Sequence, residues 1–303
     1  MIAIAGIRTL YGKVNFLHTN RTADLLGNQT FLAMPNIVII AGPNGAGKST
    51  LRHALGVVQN ICRGADRVGK WISADDFSAD RRSLPMRFEC DLILRGEAFQ
   101  YVIAFDMPEK FREPRVTEER LNVGGSIVFD RKLSQVDLPG GNSFGLDWHV
   151  AALPVVNSRG SDPSIQRLRT FFSSLILLAP VPRNMGGFAP EDETELDGDA
   201  RNFAAWLANV VGTEPARYSD IVSYLKGVMP DFGLFKFVPR GETGKQLTVR
   251  FDLRQADTSR TLSLDFAKLS DGEKCFFLSA AILAHNSPES PLFCFWDEPD
   301  THL

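Results

Sequence analysis

The chain has 303 residues, 44% of them hydrophobic and 23% charged, enough for one large domain or two smaller ones with a sizeable core. Its formal net charge of −3 excludes a whole-chain attraction for nucleic acid, and no stretch approaches the ~20 apolar residues of a membrane span, so no membrane partner is expected. Four scattered cysteines and five unpaired histidines show no metal-ligand spacing, which points to reduced, structural thiols in a cytoplasmic protein.

The first ten residues are apolar but lack a basic start and a small-residue cleavage site, so they read as a strand rather than a signal peptide. Strands are predicted at residues 2–7, 13–17 and 37–41. The last of these, Ile-Val-Ile-Ile-Ala, is a short β-branched run of the kind that suits a strand buried on both faces. A Gly-rich turn follows, and a helix is predicted from near Lys48, with Leu51, Ala54, Leu55 and Val58 on one stripe.

From residue 86 to 133 the pattern is antiparallel sheet. Strands are expected at Phe88–Leu94, Ala98–Phe105 and Ser126–Phe129, the first two joined by a hairpin at Leu94-Arg95-Gly96-Glu97. Residues 134–163, rich in Gly, Pro, Asn and Ser, read as exposed loops. A helix is expected over 164–178, an acidic loop over 181–199, helices at about 200–211 and 217–228, and a hairpin over 234–252. A last helix after Gly272 carries Phe276, Phe277, Ala280, Ala281 and Leu283, and a strand follows at Leu292–Trp296. The basic pairs Arg81 and Arg82, Arg112 and Arg115, and Arg167 and Arg169 read as solvated surface clusters.

Three segments carry chemistry. Gly42-Pro43-Asn44-Gly45-Ala46-Gly47-Lys48-Ser49 matches the P-loop pattern G-x-x-x-x-G-K-[ST] in full. Its glycines let successive backbone N–H groups turn towards phosphate oxygens, and the following helix adds its positive end. Lys48 supplies a point charge to the outer phosphates and Ser49 a hydroxyl to Mg²⁺. Asn44, Gly45, Ala46, Gly47, Lys48, Ser49 and Thr50 are thus the expected contacts to ATP. The second segment, Leu292 to Glu298, is an apolar strand that ends in two carboxylates, where ligands sit in open α/β sheets. With a P-loop in the chain, Asp297 is expected to hold the Mg²⁺ shell and Glu298 to act on the attacking water. The third is Leu269-Ser270-Asp271-Gly272-Glu273-Lys274, just before a helix. Ser270 is a plain N-cap on one reading, and with Gly272 part of a second anion site on the other.

This order resembles that of soluble AAA-family ABC-type ATPases related to RecF, SMC proteins and the OLD nucleases. Leu269–Lys274 is similar to their signature, Asp297-Glu298 to Walker B, and Pro299-Asp300-Thr301-His302-Leu303 to their D-loop. Arg8 in the first strand, residues 116–121 and 128–131, and residues 196–203 are similar to softer patterns of the same family. The resemblance implies an α/β P-loop NTPase fold of ABC-ATPase type. An antiparallel β-sheet and helical insertion would lie between Walker A and the signature. The single domain would have a core lobe at about 1–85, an inserted region at about 86–260 and a second core lobe at about 261–303.

The resemblance also implies a homodimer or higher homo-oligomer that sandwiches ATP. Ser270 and Gly272 then act on the nucleotide of the other subunit, Glu298 is the catalytic base, Asp300 touches the partner, and Arg8 joins the nucleotide-binding set. A nuclease or other effector protein and nucleic acid are the further partners it suggests, in DNA repair or defence against phage. No convincing Q-loop glutamine is found, since Gln59 falls in the first helix and Gln100 in a strand; Asp75 or Asp76 would stand near the metal instead. The sequence ends five residues after Glu298, before the position of the family's switch histidine. That leaves a fragment of a longer chain, an ATPase with weak turnover, or a site completed by a partner; the alternative function is a nucleotide-sensing scaffold with little or no turnover. The long insertion and the Asp-Thr-His-Leu ending speak against a transporter subunit.

Overall fold

The structure is a computed structural model that describes residues 3–9, 12–15, 23–25, 29–34, 37–41, 48–77, 85–159, 162–255, 258–286 and 292–299. For the strands up to residue 41 it describes the backbone course. The chain divides into two compact units, Met1–Ser174 and Leu175–Leu303.

The first unit is built on an eight-stranded antiparallel sheet. Its strands are β1 (Ala3–Thr9), β2 (Gly12–Asn15), β6 (Met86–Leu94), β7 (Glu97–Asp106), β8 (Arg115–Val123), β9 (Ser126–Lys132), β10 (Gln135–Asp137) and β11 (Ser143–Gly145). They lie in the order β11-β10-β9-β8-β7-β6-β1-β2. The predicted hairpin joins β6 to β7 through Arg95 and Gly96, both at positive φ (53° and 82°), the two-residue geometry whose twist matches that of the flanking strands. A separate sheet holds β3 (Ala23–Leu25), β4 (Gln29–Met34) and β5 (Ile37–Ala41), with β5 antiparallel to β4.

Period-2 alternation divides the large sheet into a buried and a charged face. Cys90, Tyr101, Leu121 and Phe129 are cross-strand partners on one rung, and all four are buried. On the next rung the partners are Glu89, Val102, Arg120 and Asp130, and β1 extends it by setting Arg8 opposite Glu89. Ion pairs lace the charged face: Arg87 with Glu89 and Glu118, and Arg120 with Asp130.

Helices α1 (Lys48–Cys62), α2 (Ala152–Arg159) and α3 (Pro163–Ser173) pack on one another. The stripe predicted for α1 is buried, with Leu51, Ala54, Leu55 and Val58 all in the core. Two expectations fail here. Residues 134–163 hold β10, β11 and α2 rather than loops alone, and the helix expected to run to residue 178 stops at Ser173. The start of α2 depends on a carboxylate distant in sequence. Glu119 on β8 accepts from the amides of Ala152 and Leu153 at 2.5 and 2.9 Å and from the Tyr101 hydroxyl at 2.9 Å. Arg131 lies 3.7 Å away and donates to the carbonyls of Leu133, Asp147 and Val150, so the buried charges are matched.

In the second unit, β12 (Ile176–Leu178) runs parallel to β17 (Cys294–Trp296). A second sheet is centred on β15 (Gly244–Gln255). One edge of β15 pairs with β14 (Phe232–Arg240); β13 (Phe188–Ala189) and β16 (Thr258–Asp265) pair with successive stretches of it. Helices α4 (Phe203–Thr213), α5 (Ala216–Val228) and α6 (Asp271–His285) complete the unit. The core is rich in aromatic rings around Phe277 of α6. Its ring lies 5.4 Å from that of Phe266, 5.6 Å from Phe232 and 5.9 Å from Phe235, in edge-to-face arrangements. Leu283, which α6 carries as expected, is 53% exposed.

Candidate functional site

In the first unit, β5 ends at Ala41 and α1 begins at Lys48, so the strand and the helix that a P-loop requires flank it at both ends. Residues 42–47, and with them Asn44, Gly45, Ala46 and Gly47, lie outside the described residues, as does the side chain of Lys48. Ser49 and Thr50 are exposed in the first turn of α1. That turn carries no acidic residue, so nothing in it offsets the positive end of the helix. Arg8 is placed by its backbone on β1, next to the edge strand β2 of the eight-stranded sheet, opposite Glu89 and Lys13; its side chain is outside the described residues.

The aspartates considered for the metal separate. Asp76 accepts from the backbone amide and hydroxyl of Ser73 at 2.7 and 3.0 Å and approaches His53 of α1 at 3.3 Å, while Asp75 is exposed. Asp76 thus closes a capping box at the short 3-10 turn Ala74–Asp76. Gln59 is buried in α1, and Gln100 on β7 donates to Asp91 at 3.1 Å.

In the second unit, β17 delivers Asp297 and Glu298 at its C-terminal end. The parallel ladder continues one bond further, because the Asp297 amide donates to the Leu178 carbonyl at 2.7 Å. Asp297 is buried and Glu298 exposed, so the paired carboxylates stand in different surroundings. Glu298 has a φ of +53°, a conformation that costs a side-chain-bearing residue. Asp300 lies outside the described residues.

Ser270 is the N-cap of α6. Its hydroxyl accepts from the Glu273 amide at 3.3 Å, and the Glu273 carboxylate accepts from the Ser270 amide at 2.8 Å and its hydroxyl at 2.7 Å. The plain reading of Ser270 as a cap is therefore satisfied by a full capping box. Gly272 lies in the first turn of the same helix. Lys274 is buried, and its ammonium donates to the Pro182 carbonyl at 3.0 Å. The sequence does not mark that burial, because a lysine in the first turn of a helix ordinarily keeps its ammonium in water.

Among the described residues no group of three or more His, Cys, Asp or Glu side chains is arranged to hold a metal. The four cysteines are free; Cys62, Cys90 and Cys275 are buried and Cys294 is exposed. Burial pushes the Cys90 thiol up to about 12, which fits an inert core residue. No helix is long and apolar enough to cross a membrane among the described residues.

Comparison with known proteins returns no match among curated sequences. Residues 37–303 match a family model whose description reads "AAA domain, putative AbiEii toxin, Type IV TA system". The match begins at the first residue of β5, takes in the P-loop sequence and runs through Asp297 and Glu298. The chain belongs to this family of AAA-type ATPase domains.

Proposed function

We propose that the chain hydrolyses ATP with Mg²⁺ and that two copies close around the nucleotide. The observation that carries the reading is one family match that contains, in order, a complete P-loop sequence, the Ser270–Lys274 turn and a strand ending in Asp297-Glu298. The donor set fits a hard divalent cation, since a serine hydroxyl and a carboxylate are both oxygen ligands.

In this reading the P-loop amides from Asn44 to Thr50 cradle the phosphates, and Lys48 faces the outer ones. Ser49 and Asp297 hold Mg²⁺, which when bound offsets the phosphate charge. Glu298, exposed beside buried Asp297, takes a proton from the attacking water. Ser270 and Gly272 of one copy meet the outer phosphate held by the other, and Arg8 contributes to nucleotide binding. The family's description also supports a place in a toxin–antitoxin setting. A role in defence or DNA repair, with an effector protein or nucleic acid as partner, is part of the same proposal and rests on the order of the motifs alone.

Steady-state turnover of the purified chain tests this. We expect Mg²⁺-dependent phosphate release that falls by about two orders of magnitude or more in Glu298→Gln, with ATP binding retained, and loss of binding in Lys48→Ala. Wild-type binding without any turnover would favour a nucleotide-sensing scaffold instead.

A further inference from the structure

Among the described residues of the second unit, three charged side chains are buried: Arg217, Lys274 and Asp297. Arg217 is accounted for, since it pairs with Glu214 at 2.7 Å and donates to the Ala284 carbonyl near the end of α6. Lys274 lies near the other end of α6, one turn after Ser270, and its amide donates to the Ser270 carbonyl at 3.0 Å. An apolar side chain would pack here without the desolvation cost of an ammonium, so packing alone does not call for a lysine.

The partner of that ammonium is informative. Pro182 follows Leu178 by four residues, and Leu178 is the residue whose carbonyl takes the Asp297 amide at 2.7 Å. The intervening stretch is pinned. The Ala179 amide donates to the Gly198 carbonyl at 2.8 Å, and the Val181 amide to the Asp199 carbonyl at 3.0 Å. Ser270 and Asp297 are therefore joined by a short path of three hydrogen bonds and the backbone from Leu178 to Pro182, in which the side-chain link is Lys274 Nζ to Pro182 O.

We propose that Lys274 is a positioning residue that couples the Ser270 turn to the strand end bearing Asp297 and Glu298, an inference that rests on the proposed ATP sandwich. When the Ser270 turn of one copy engages the outer phosphate held by its partner, the shift reaches the first copy's own carboxylates through the Lys274–Pro182 bond. The two nucleotide positions of a dimer are thereby made to fire together.

The test compares wild type, Lys274→Met, which keeps length and apolar stem but has no donor, and Lys274→Arg, which keeps a donor. Each is measured for affinity towards a fluorescent ATP analogue, for kcat and Hill coefficient in ATP hydrolysis, and for thermal unfolding. In Lys274→Met we expect kcat to fall about tenfold or more and the Hill coefficient to drop to about 1, with nucleotide affinity within about twofold of wild type. Lys274→Arg should recover kcat to within about threefold. If Lys274→Met does not fold, Lys274→Leu, which also lacks a donor, is read in its place with the same expectation.

Wild-type kcat and cooperativity in the donor-less variant would overturn the inference. So would a loss of activity that only tracks the folded fraction and is not relieved by arginine. A wild-type chain that neither turns over ATP nor dimerises overturns the underlying reading as well, and that result is visible before position 274 is changed.

Discussion

The amide of Asp297 donates to the carbonyl of Leu178 at 2.7 Å, which carries the parallel ladder of β12 and β17 up to the first of the two carboxylates. Asp297 is thereby fixed by backbone bonding. Its neighbour Glu298 leaves the strand at once in a left-handed conformation, with φ at +53°. Asp297 is buried at the end of the ladder, and Glu298 is exposed to solvent.

That strained position makes a prediction about stability. Glycine has no Cβ to conflict with positive φ, so Glu298→Gly should raise the free energy of unfolding by about 1 kcal/mol while abolishing turnover. Glu298→Gln should abolish turnover without the stability gain. Denaturant titration of the three proteins checks this, and a destabilised Glu298→Gly would show that the conformation is supported by contacts of the side chain.

The capping box at Ser270 predicts a second separation. Ser270→Ala removes the cap and leaves Glu273 without its hydroxyl partner, which should cost about 1 kcal/mol of stability. Glu273→Ala should cost a similar amount, and the double variant less than the sum, because the two side chains act on each other. Strict additivity in the double-mutant cycle would contradict the reciprocal geometry.

The buried pair of the first unit supplies a contrast of magnitude. Arg131→Met strands Glu119 in the core beside the start of α2 and should destabilise by roughly 3–5 kcal/mol. Arg120→Met breaks an ion pair on the charged face and should cost no more than about 1 kcal/mol. Equal effects in chemical denaturation would mean that the Glu119 cluster is no more demanding than a surface pair.

His285 gives the pH dependence a direction. Burial lowers its pKa, nearby Arg217 lowers it further, and Glu214 acts the other way. Its ring also packs edge-on against Trp206 at 5.7 Å. The folded state thus prefers the neutral imidazole, whereas the unfolded chain takes up a proton near the ordinary value of about 6.5. The stability from His285 is present above that pH and is lost as pH falls below it, until the folded residue protonates too. Between about pH 7.5 and 5.5 the wild type should lose more stability than His285→Phe. Parallel curves for the two proteins would remove His285 as a source of pH dependence.

Local pattern made the motif-bearing elements legible. Lys48 at the head of an apolar stripe, the Arg95-Gly96 turn between alternating runs, and the β-branched run before Gly42 each follow from a short window of sequence. What remained hidden depends on partners far along the chain. The helix at Ala152–Arg159 has Pro154 in its first turn and sits in a Gly- and Ser-rich stretch, and it starts where Glu119 caps it from 33 residues away. Ile176–Leu178 continues a helical pattern in composition, yet it is a strand because Cys294–Trp296 pairs with it. The site divides the same way. Asp297, Glu298 and the Ser270 cap are readable from residue order, whereas the positive φ of Glu298 and the burial of Lys274 are set by tertiary packing.

The most direct test of the account is light scattering of Glu298→Gln with and without ATP and Mg²⁺. With hydrolysis blocked, the nucleotide should hold two copies together, so the mass should double only when both ATP and Mg²⁺ are present. Ser270→Arg in the same background should abolish the shift. A mass unchanged by ATP would contradict closure of two copies around the nucleotide.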